Sequence, residues 1–449
     1  MGAKSIIEEV QQEKVIDNLS SQIAEGQNVD SSKLAALKAK SQAKQMEKSV
    51  VKDSKKERSI QFGIIGSGQA GSRLAETFYK LGYDAVACNT ASQDLRFIDI
   101  PDSNKLLLQY GSGGAAKETD IGRMAAETHR DEIVELVNDH LSNSQVNLLC
   151  LSLGGGSGAG STDTIVDVLF ETGKPVCVIC ILPMTSEDAA TKQNSLETLS
   201  KLTKLTQSKK VSNLIIIDNA KLESIYHNVN QLDFYQVANK AIVETIDVFN
   251  TMSSLPSSVK SLDPMEMSKM FLDGGGCSIF GELVVSDFTD DTAIASAVIN
   301  NLDSNLLASG FDLNKARYVG VLFVASKQVW ERIPSSSVNY ALSMVNDRAS
   351  SPQGIFKGIY QVDSNEQVIK VYSFFSGLSL PEDRIAQLKN EVKELNQSNK
   401  TKDEVRNLSL KLDTGLEENV SAAQAIKNKI AAKSSSFGKF VNNVVDKRK

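Results

Sequence analysis

The sequence predicts an α/β chain: a Rossmann-like domain with a parallel sheet, then a long central helix, then a smaller α+β domain, with helical arms at both ends. Three observations predict it. Val146 to Thr162 (VNLLCLSLGGGSGAGST) is an apolar run that breaks into five glycines within seven residues, and helical spacing then resumes at Ile165, Val166 and Leu169. That pattern reads as buried strand, glycine turn and helix. The same order occurs earlier, where a strand at Ile60 to Ile65 meets Gly66-Ser67-Gly68-Gln69-Ala70-Gly71 and a helix from about Ser72 to Leu81. From Cys277 to Gly377, finally, strands alternate with helices and close on two successive strands, a pattern that suits an α+β sheet ending in a hairpin.

The totals set limits. A chain of 449 residues holds two or three domains. A net charge of −6 argues against general coating of nucleic acid, although locally basic tails are compatible with it. No apolar run reaches the roughly 20 residues that span a bilayer, and the start MGAKSIIEEVQQEK lacks a signal-peptide core. The expected location is the cytoplasm. Cys88, Cys150, Cys177 and Cys180 lie in or beside apolar runs and read as small core residues. In the strand VCVICIL, Cys177 and Cys180 point to opposite faces, which disfavours a CxxC metal or redox site. His129, His140 and His227 show no ligand spacing, so no metal ligands are assigned.

In chain order, residues 1–58 read as a helical, partly disordered arm whose second half is dense in lysine. The glycine-rich turns come next. Without Cβ atoms, the backbone after a strand can curl until several N–H groups face one anion, and the following helix adds the partial positive charge of its N-terminus. Gly66 to Gly71 formally matches GxGxxG, so a dinucleotide-binding oxidoreductase is one reading. It lacks the acidic residue expected at the end of the second strand, because DAVACN ends in Asn89-Thr90. The chain also carries a richer loop at Gly154 and a third cluster at Gly111, Gly113 and Gly114. Three loops, each after an apolar run, suggest a mononucleotide wrapped from several strand ends. The Walker pattern GxxxxGK[ST] is absent.

These residues resemble the tubulin/FtsZ family of polymerising GTPases. Gly154-Gly155-Gly156-Ser157-Gly158-Ala159-Gly160 is similar to the family signature GGGTGTG/S, with small-for-small changes at Ser157 and Ala159. Gly68 to Arg73 (GQAGSR) resembles tubulin's GQCGNQ. Asn89-Thr90 with Asp94-Leu95 is similar to the family's NTD…L segment, and Gly113 to Gly122 to its γ-phosphate-sensing loop. The resemblance covers roughly Ser59 to Leu380. It implies GTP and Mg²⁺ as ligands, with Gly68, Gln69, Ala70, Arg73, Asn89, Gly113, Gly114 and the whole Gly154 to Gly160 loop around the nucleotide.

Further along, Pro183 to Glu187 follows a strand and resembles the segment whose glutamate holds the ribose, so Glu187 inherits that role. Four residues later the family's arginine is replaced by Thr191, with Lys192 beside it. Phe234 to Met252 has helical apolar spacing, and Tyr235 and Asn239, one turn apart, share a face. The resemblance gives them stacking on the guanine and hydrogen bonding to its edge. In Ser261-Leu262-Asp263-Pro264-Met265-Glu266, the two carboxylates suit an N-cap and capping box. The resemblance adds catalysis, with Asp263 and Glu266 inserted into the site of the adjacent subunit to position the attacking water. Gly274 to Gly276 reads as a structural turn.

The expected division is 1–58 arm, 59–232 nucleotide domain, 233–276 central helix and carboxylate loop, 277–380 C-terminal domain, and 381–449 tail. The tail opens with an amphipathic or coiled-coil segment at Ile385, Leu388, Val392 and Leu395. It ends basic, a composition suited to an acidic surface, a DNA adaptor complex, phage particles or anionic lipid. The function implied is a GTP-hydrolysing homopolymer that positions DNA or phage particles. A division-ring protein, a non-hydrolysing scaffold and the oxidoreductase are the alternatives.

Overall fold

The computed structural model describes residues 57–409 apart from 112 and 289–291. The predicted arm up to residue 56 and the basic tail from residue 410 lie outside the described residues. Strand and helix first alternate as β1 (Phe62–Ser67), α1 (Gly68–Lys80), β2 (Asp84–Asn89), α2 (Ser92–Arg96), β3 (Lys105–Leu107), α3 (Thr119–Thr128), α4 (Arg130–Leu141) and β4 (Val146–Ser152). They continue as α5 (Gly156–Glu171), β5 (Val176–Leu182), α6 (Ala189–Gln207), β6 (Asn213–Asp218) and α7 (Asn219–Ile225). The central helix α8 (Phe234–Met252) and the short α9 (Pro264–Ser268) follow. The remainder is β7 (Cys277–Val285), α10 (Ala293–Asn305), β8 (Tyr318–Ser326), α11 (Lys327–Trp330), α12 (Ser335–Arg348), β9 (Gly354–Val362), β10 (Ile369–Leu378) and α13 (Glu382–Ser409).

Among the described residues the strands form one ten-stranded sheet, ordered β3-β2-β1-β4-β5-β6-β7-β10-β8-β9. The first six are parallel. β7 extends that sheet, pairing parallel to β6 through Leu214↔Cys277 and Ile215↔Ser278. The expected closing hairpin does not form. β9 runs parallel to β8, and β10 inserts between β7 and β8, antiparallel to both. α12 carries the chain back so that β9 can add in parallel to β8, and β10 then pairs with the other side of β8 instead of with β9.

Alternation along the strands builds two apolar layers. Along β5, Val176, Val178, Cys180 and Leu182 face the layer that holds α5, whereas Cys177, Ile179 and Ile181 face the layer of α8. Cys177 and Cys180 thus lie on opposite faces, as the strand period predicts, and burial raises both thiols. α8 occupies the predicted residues and buries Val237, Ala241, Ile242, Ile246 and Phe249. Phe249 meets Phe280 of β7 at 5.7 Å between ring centroids, and Phe280 stacks on Phe374 of β10 at 4.2 Å. The same helix therefore carries the core of both halves of the sheet.

Arg58, the last position of the predicted arm, is anchored in the body. Its Nε donates to Asp247 Oδ1 of α8 at 2.9 Å, its guanidinium lies 3.8 Å from the Tyr83 ring centroid, and Tyr83 Oη donates to the same Asp247 oxygen at 2.9 Å. Asn250 of α8 exchanges hydrogen bonds of 2.8 Å with both backbone groups of Ile60. The tail's amphipathic segment also packs within the chain: Leu388 and Val392 of α13 are buried, and Glu391 between them pairs with Lys192 of α6. No helix among the described residues is long and apolar enough to cross a membrane.

Candidate functional site

The strand order reverses direction between β1 and β4, and α1 and α5 start side by side at that point. An open α/β sheet takes ligands at such a reversal, outside the carboxyl ends of its strands. The helices begin earlier than their glycine content suggests. Gly68 opens α1, and Gly156, Gly158 and Gly160 lie within the first turns of α5. Close approach overrides poor propensity here. A Cβ on Gly160 would fall 2.2 Å from the Thr119 carbonyl oxygen, and one on Gly68, whose φ is +70°, would fall 2.9 Å from the Gly158 nitrogen.

Neither α1 nor α5 has a side-chain cap, and neither carries an acidic residue in its first turn. Their leading N–H groups are left for another acceptor. Gly155, the residue before α5, has open space where its side chain would be. The neighbouring helix starts on this edge are different: Asp188 accepts from Thr191 N at the head of α6, and Asp218 from Ala220 N at the head of α7. The two vacant N-termini at the reversal form an anion cradle.

The remaining loops close around it. Gly111, Gly113 and Gly114 all have positive φ and open space at the Cβ position, and Gly114 N donates to Thr90 O at 2.9 Å. Thr90 and Ser157 hydroxyls meet at 2.5 Å, tying the β2 end to the α5 loop. Lys117, itself at φ 68°, pairs with Asp188, and Asn194 Nδ2 donates to Lys117 O at 2.8 Å and Gly154 O at 3.3 Å. The Lys117 ammonium, with the Thr191 amide, holds the Asp188 carboxyl down at about 2. Asn89 and Gln69 both donate to Asp94, at 3.0 and 3.2 Å. Ala70 is half-buried, and Ala159 is buried within α5.

On the far side, the Arg73 guanidinium lies 6.0 Å from the Tyr235 ring centroid, and Tyr235 Oη is 3.9 Å from Met184 Sδ. Burial and the nearby Glu187 carboxylate raise the Tyr235 phenol above its ordinary value. Glu187 folds back on its own turn, accepting from Met184 N at 3.4 Å. Asn239 lies one turn further along α8 and is only 8% exposed. All the residues predicted to bind the nucleotide therefore belong to one edge of the sheet.

Asp263 and Glu266 do not. The 19 residues of α8 extend about 28 Å, from Tyr235 at that edge to the opposite one. There Phe271 O accepts from Asn213 Nδ2 at the start of β6, and the Phe271 ring lies 4.9 Å from Phe62 at the start of β1. The two carboxylates form a full capping box: Glu266 N donates to Asp263 Oδ1 at 2.8 Å and Asp263 N to Glu266 Oε2 at 3.0 Å. Met265 between them is 77% exposed. Ser261 accepts from Ser257 N at 2.8 Å, and Tyr360 of β9 holds both backbone groups of Leu262. Gly274 to Gly276 lead into β7 as a turn, with positive φ at Gly275 and Gly276. Asn194 and Tyr360 carry no motif signal. Their importance is tertiary.

Fold and site together define a doubly wound α/β protein with an anion cradle at the reversal of its sheet and a second sheet segment built on a central helix. The chain belongs to the tubulin/FtsZ family. The model of the "Tubulin/FtsZ family, GTPase domain" matches residues 45–227, and that of the TubZ-like C-terminal domain matches residues 248–389, together more than half of the chain. The second match runs past Leu380 into α13. Among the curated relatives, the tubulin-like protein CetZ of Pyrococcus horikoshii is 26% identical over 323 residues, covering 70% of this chain and 85% of CetZ. The tubulin-like protein TubZ of Bacillus cereus is 24% identical over 374 residues, covering 75% and 85%. In fold, the chain is similar to a GTPγS-form protofilament of Bacillus thuringiensis serovar israelensis TubZ, with a TM-score of 0.70 at 21% identity, covering 79% of this chain and 96% of that one. Family membership displaces the oxidoreductase reading of GxGxxG.

Proposed function

We propose that this protein binds and hydrolyses GTP in the cytoplasm and polymerises head to tail into filaments. Relatives of this fold are described as protofilaments and as a two-stranded filament, which supports the reading. One observation carries it: the carboxylate pair and the anion cradle occupy opposite edges of one sheet, with α8, about 28 Å long, running between those edges. Asp263 and Glu266 cannot serve their own nucleotide. A second copy stacked end to end brings one edge over the other, and such a heterologous contact grows as an open filament.

In this reading the α1 and α5 N-termini, with Gly113, Gly114 and Ser157, hold the phosphates. Glu187 takes the ribose, Tyr235 stacks on the base, and Asn239 hydrogen-bonds the base edge. Hydroxyls and backbone amides dominate the loop edge, and Asp94 is already engaged by Asn89 and Gln69. Mg²⁺ would therefore be held chiefly by the phosphates themselves, and it neutralises their charge in transfer. The neighbour's Glu266 orients the attacking water, with Asp263 fixing the turn that presents it. We assign nucleotide binding to 59–232, the helix and carboxylate loop to 233–276, the C-terminal domain to 277–380, and attachment of DNA or phage-particle cargo to the basic end of 381–449.

Sedimentation and phosphate release with GTP against ATP, across protein concentrations, test the reading. Pelleting and turnover per subunit should both rise steeply with concentration and require GTP. Turnover that is independent of protein concentration would end the shared-site proposal.

A further inference from the structure

We infer that Lys192 is a positioning residue of the nucleotide site, clamping the Pro183–Glu187 loop from behind in concert with the C-terminal helix α13. Lys192 lies in the first turn of α6 and is only 2% exposed. Its Nζ donates to Thr185 O at 2.7 Å and pairs with Glu391 Oε2 of α13 at 2.9 Å. A second cation reaches the same loop from α13. Arg384 donates through Nη2 to Pro183 O at 2.9 Å, and its Nε donates to Asp218 Oδ2 at 2.8 Å. The two cations share Glu391, since Arg384 Nη1 stands 3.6 Å from its other carboxylate oxygen.

Two carbonyls, those of Pro183 and Thr185 on either side of Met184, are thus gripped on the inner side of a loop whose intervening and following side chains face the opposite way. Met184 reaches Tyr235, and Glu187 sets the turn by accepting from Met184 N. A lysine ammonium is costly to bury, and the cost is met only where the geometry and the remaining hydrogen bonds are good. Here the donors are directed at backbone rather than at the ligand. Lys192 and Arg384 therefore fix where Glu187 and Met184 stand, and α13 supplies the counter-charge that keeps Lys192 in place. The segment after β10 is accordingly part of the nucleotide site.

The inference rests on Glu187 and Tyr235 lining the nucleotide, and its test separates the two. Lys192→Met alone leaves Glu391 only the more distant Arg384, so the full chain is also made as K192M/E391M, in which an apolar pair replaces the closer ion pair while Arg384 keeps Asp218. Thermal melting should place the double variant within a few degrees of wild type. A fluorescent GTP analogue should bind it about tenfold or more weakly, through faster dissociation, because a displaced loop misplaces its contacts. Amide exchange at residues 184–187 should also be faster without nucleotide. Wild-type affinity together with wild-type exchange in the stable double variant would overturn the inference. Failure of the wild-type protein to bind the analogue would overturn the site reading instead, and exchange would still decide whether Lys192 holds the loop.

Discussion

The two edges of the sheet solve the helix-end problem in opposite ways. At the loop edge, α1 and α5 leave their leading N–H groups without a side-chain partner, at the point where the strand order reverses. At the other edge, α9 is closed on itself, each carboxylate accepting from the other's backbone. An edge with vacant donors is incomplete until an anion arrives, whereas an edge with satisfied carboxylates is complete until a neighbour asks it for chemistry. The proposed function uses that difference: one chain carries both halves of the reaction and keeps them apart.

The comparison breaks most severely at Glu266. Glu266→Ala is expected to lower steady-state phosphate release on the order of 10²-fold or more, while nucleotide binding persists and filaments live longer. Release at the wild-type rate would remove the carboxylate edge from the mechanism. Next comes Gly160→Ala, which forces a Cβ to 2.2 Å from the Thr119 carbonyl oxygen and should destabilise the fold by about 1–3 kcal/mol in urea unfolding. Its counterpart sharpens the contrast. Gly155→Ala meets nothing within 4 Å, so melting should stay near wild type, while its methyl intrudes on the cradle and weakens GTP binding about tenfold, or about 1.4 kcal/mol. Unchanged affinity in that variant would move the phosphates elsewhere.

The smallest effect concerns the Lys117–Asp188 pair that ties the third loop to α6. The folded carboxyl is depressed to about 2, so its stabilising contribution is full above the ordinary aspartate value of about 3.9 and is lost as pH falls through about 2. Both side chains are half exposed, which limits the contribution to about 1 kcal/mol or less. Asp188→Asn should therefore be slightly less stable than wild type at pH 7. The gap should close between pH 4 and pH 2, and a gap that persists at pH 2 would mean the capping geometry of Asp188, not its charge, is what matters.

Much of this was legible in the sequence because it depended on period and composition. α8 carries its apolar residues at helical spacing and occupies the predicted residues, and Cys177 and Cys180 separate to the two layers that a strand period dictates. The glycine loops marked strand ends, and the fold gathers them at the reversal of the sheet. Other features depended on contacts that no local pattern encodes. Gly68 and Gly156 to Gly160 look like turn residues by propensity, yet they begin helices because neighbouring backbone lies too close for a Cβ. The insertion of β10 between β7 and β8 is a pairing across long stretches of chain, invisible to strand signals. Lys192 is only a neighbour of Thr191 in the sequence, and its burial against Glu391 is what gives it a place. The partners of Asn194 and Tyr360 likewise arise from folding alone.

The position of β10 sets an order of manufacture. During synthesis the six parallel strands and α8 are complete long before residue 369 is made, but β7 and β8 have no shared neighbour until Ile369–Leu378 emerges. Until then each exposes an edge with unpaired backbone groups, the kind of surface that recruits other chains. The chain thus closes these edges only near the end of translation. A ribosome that stalls within α12 leaves behind a nascent chain whose half-built sheet is open to the wrong partner.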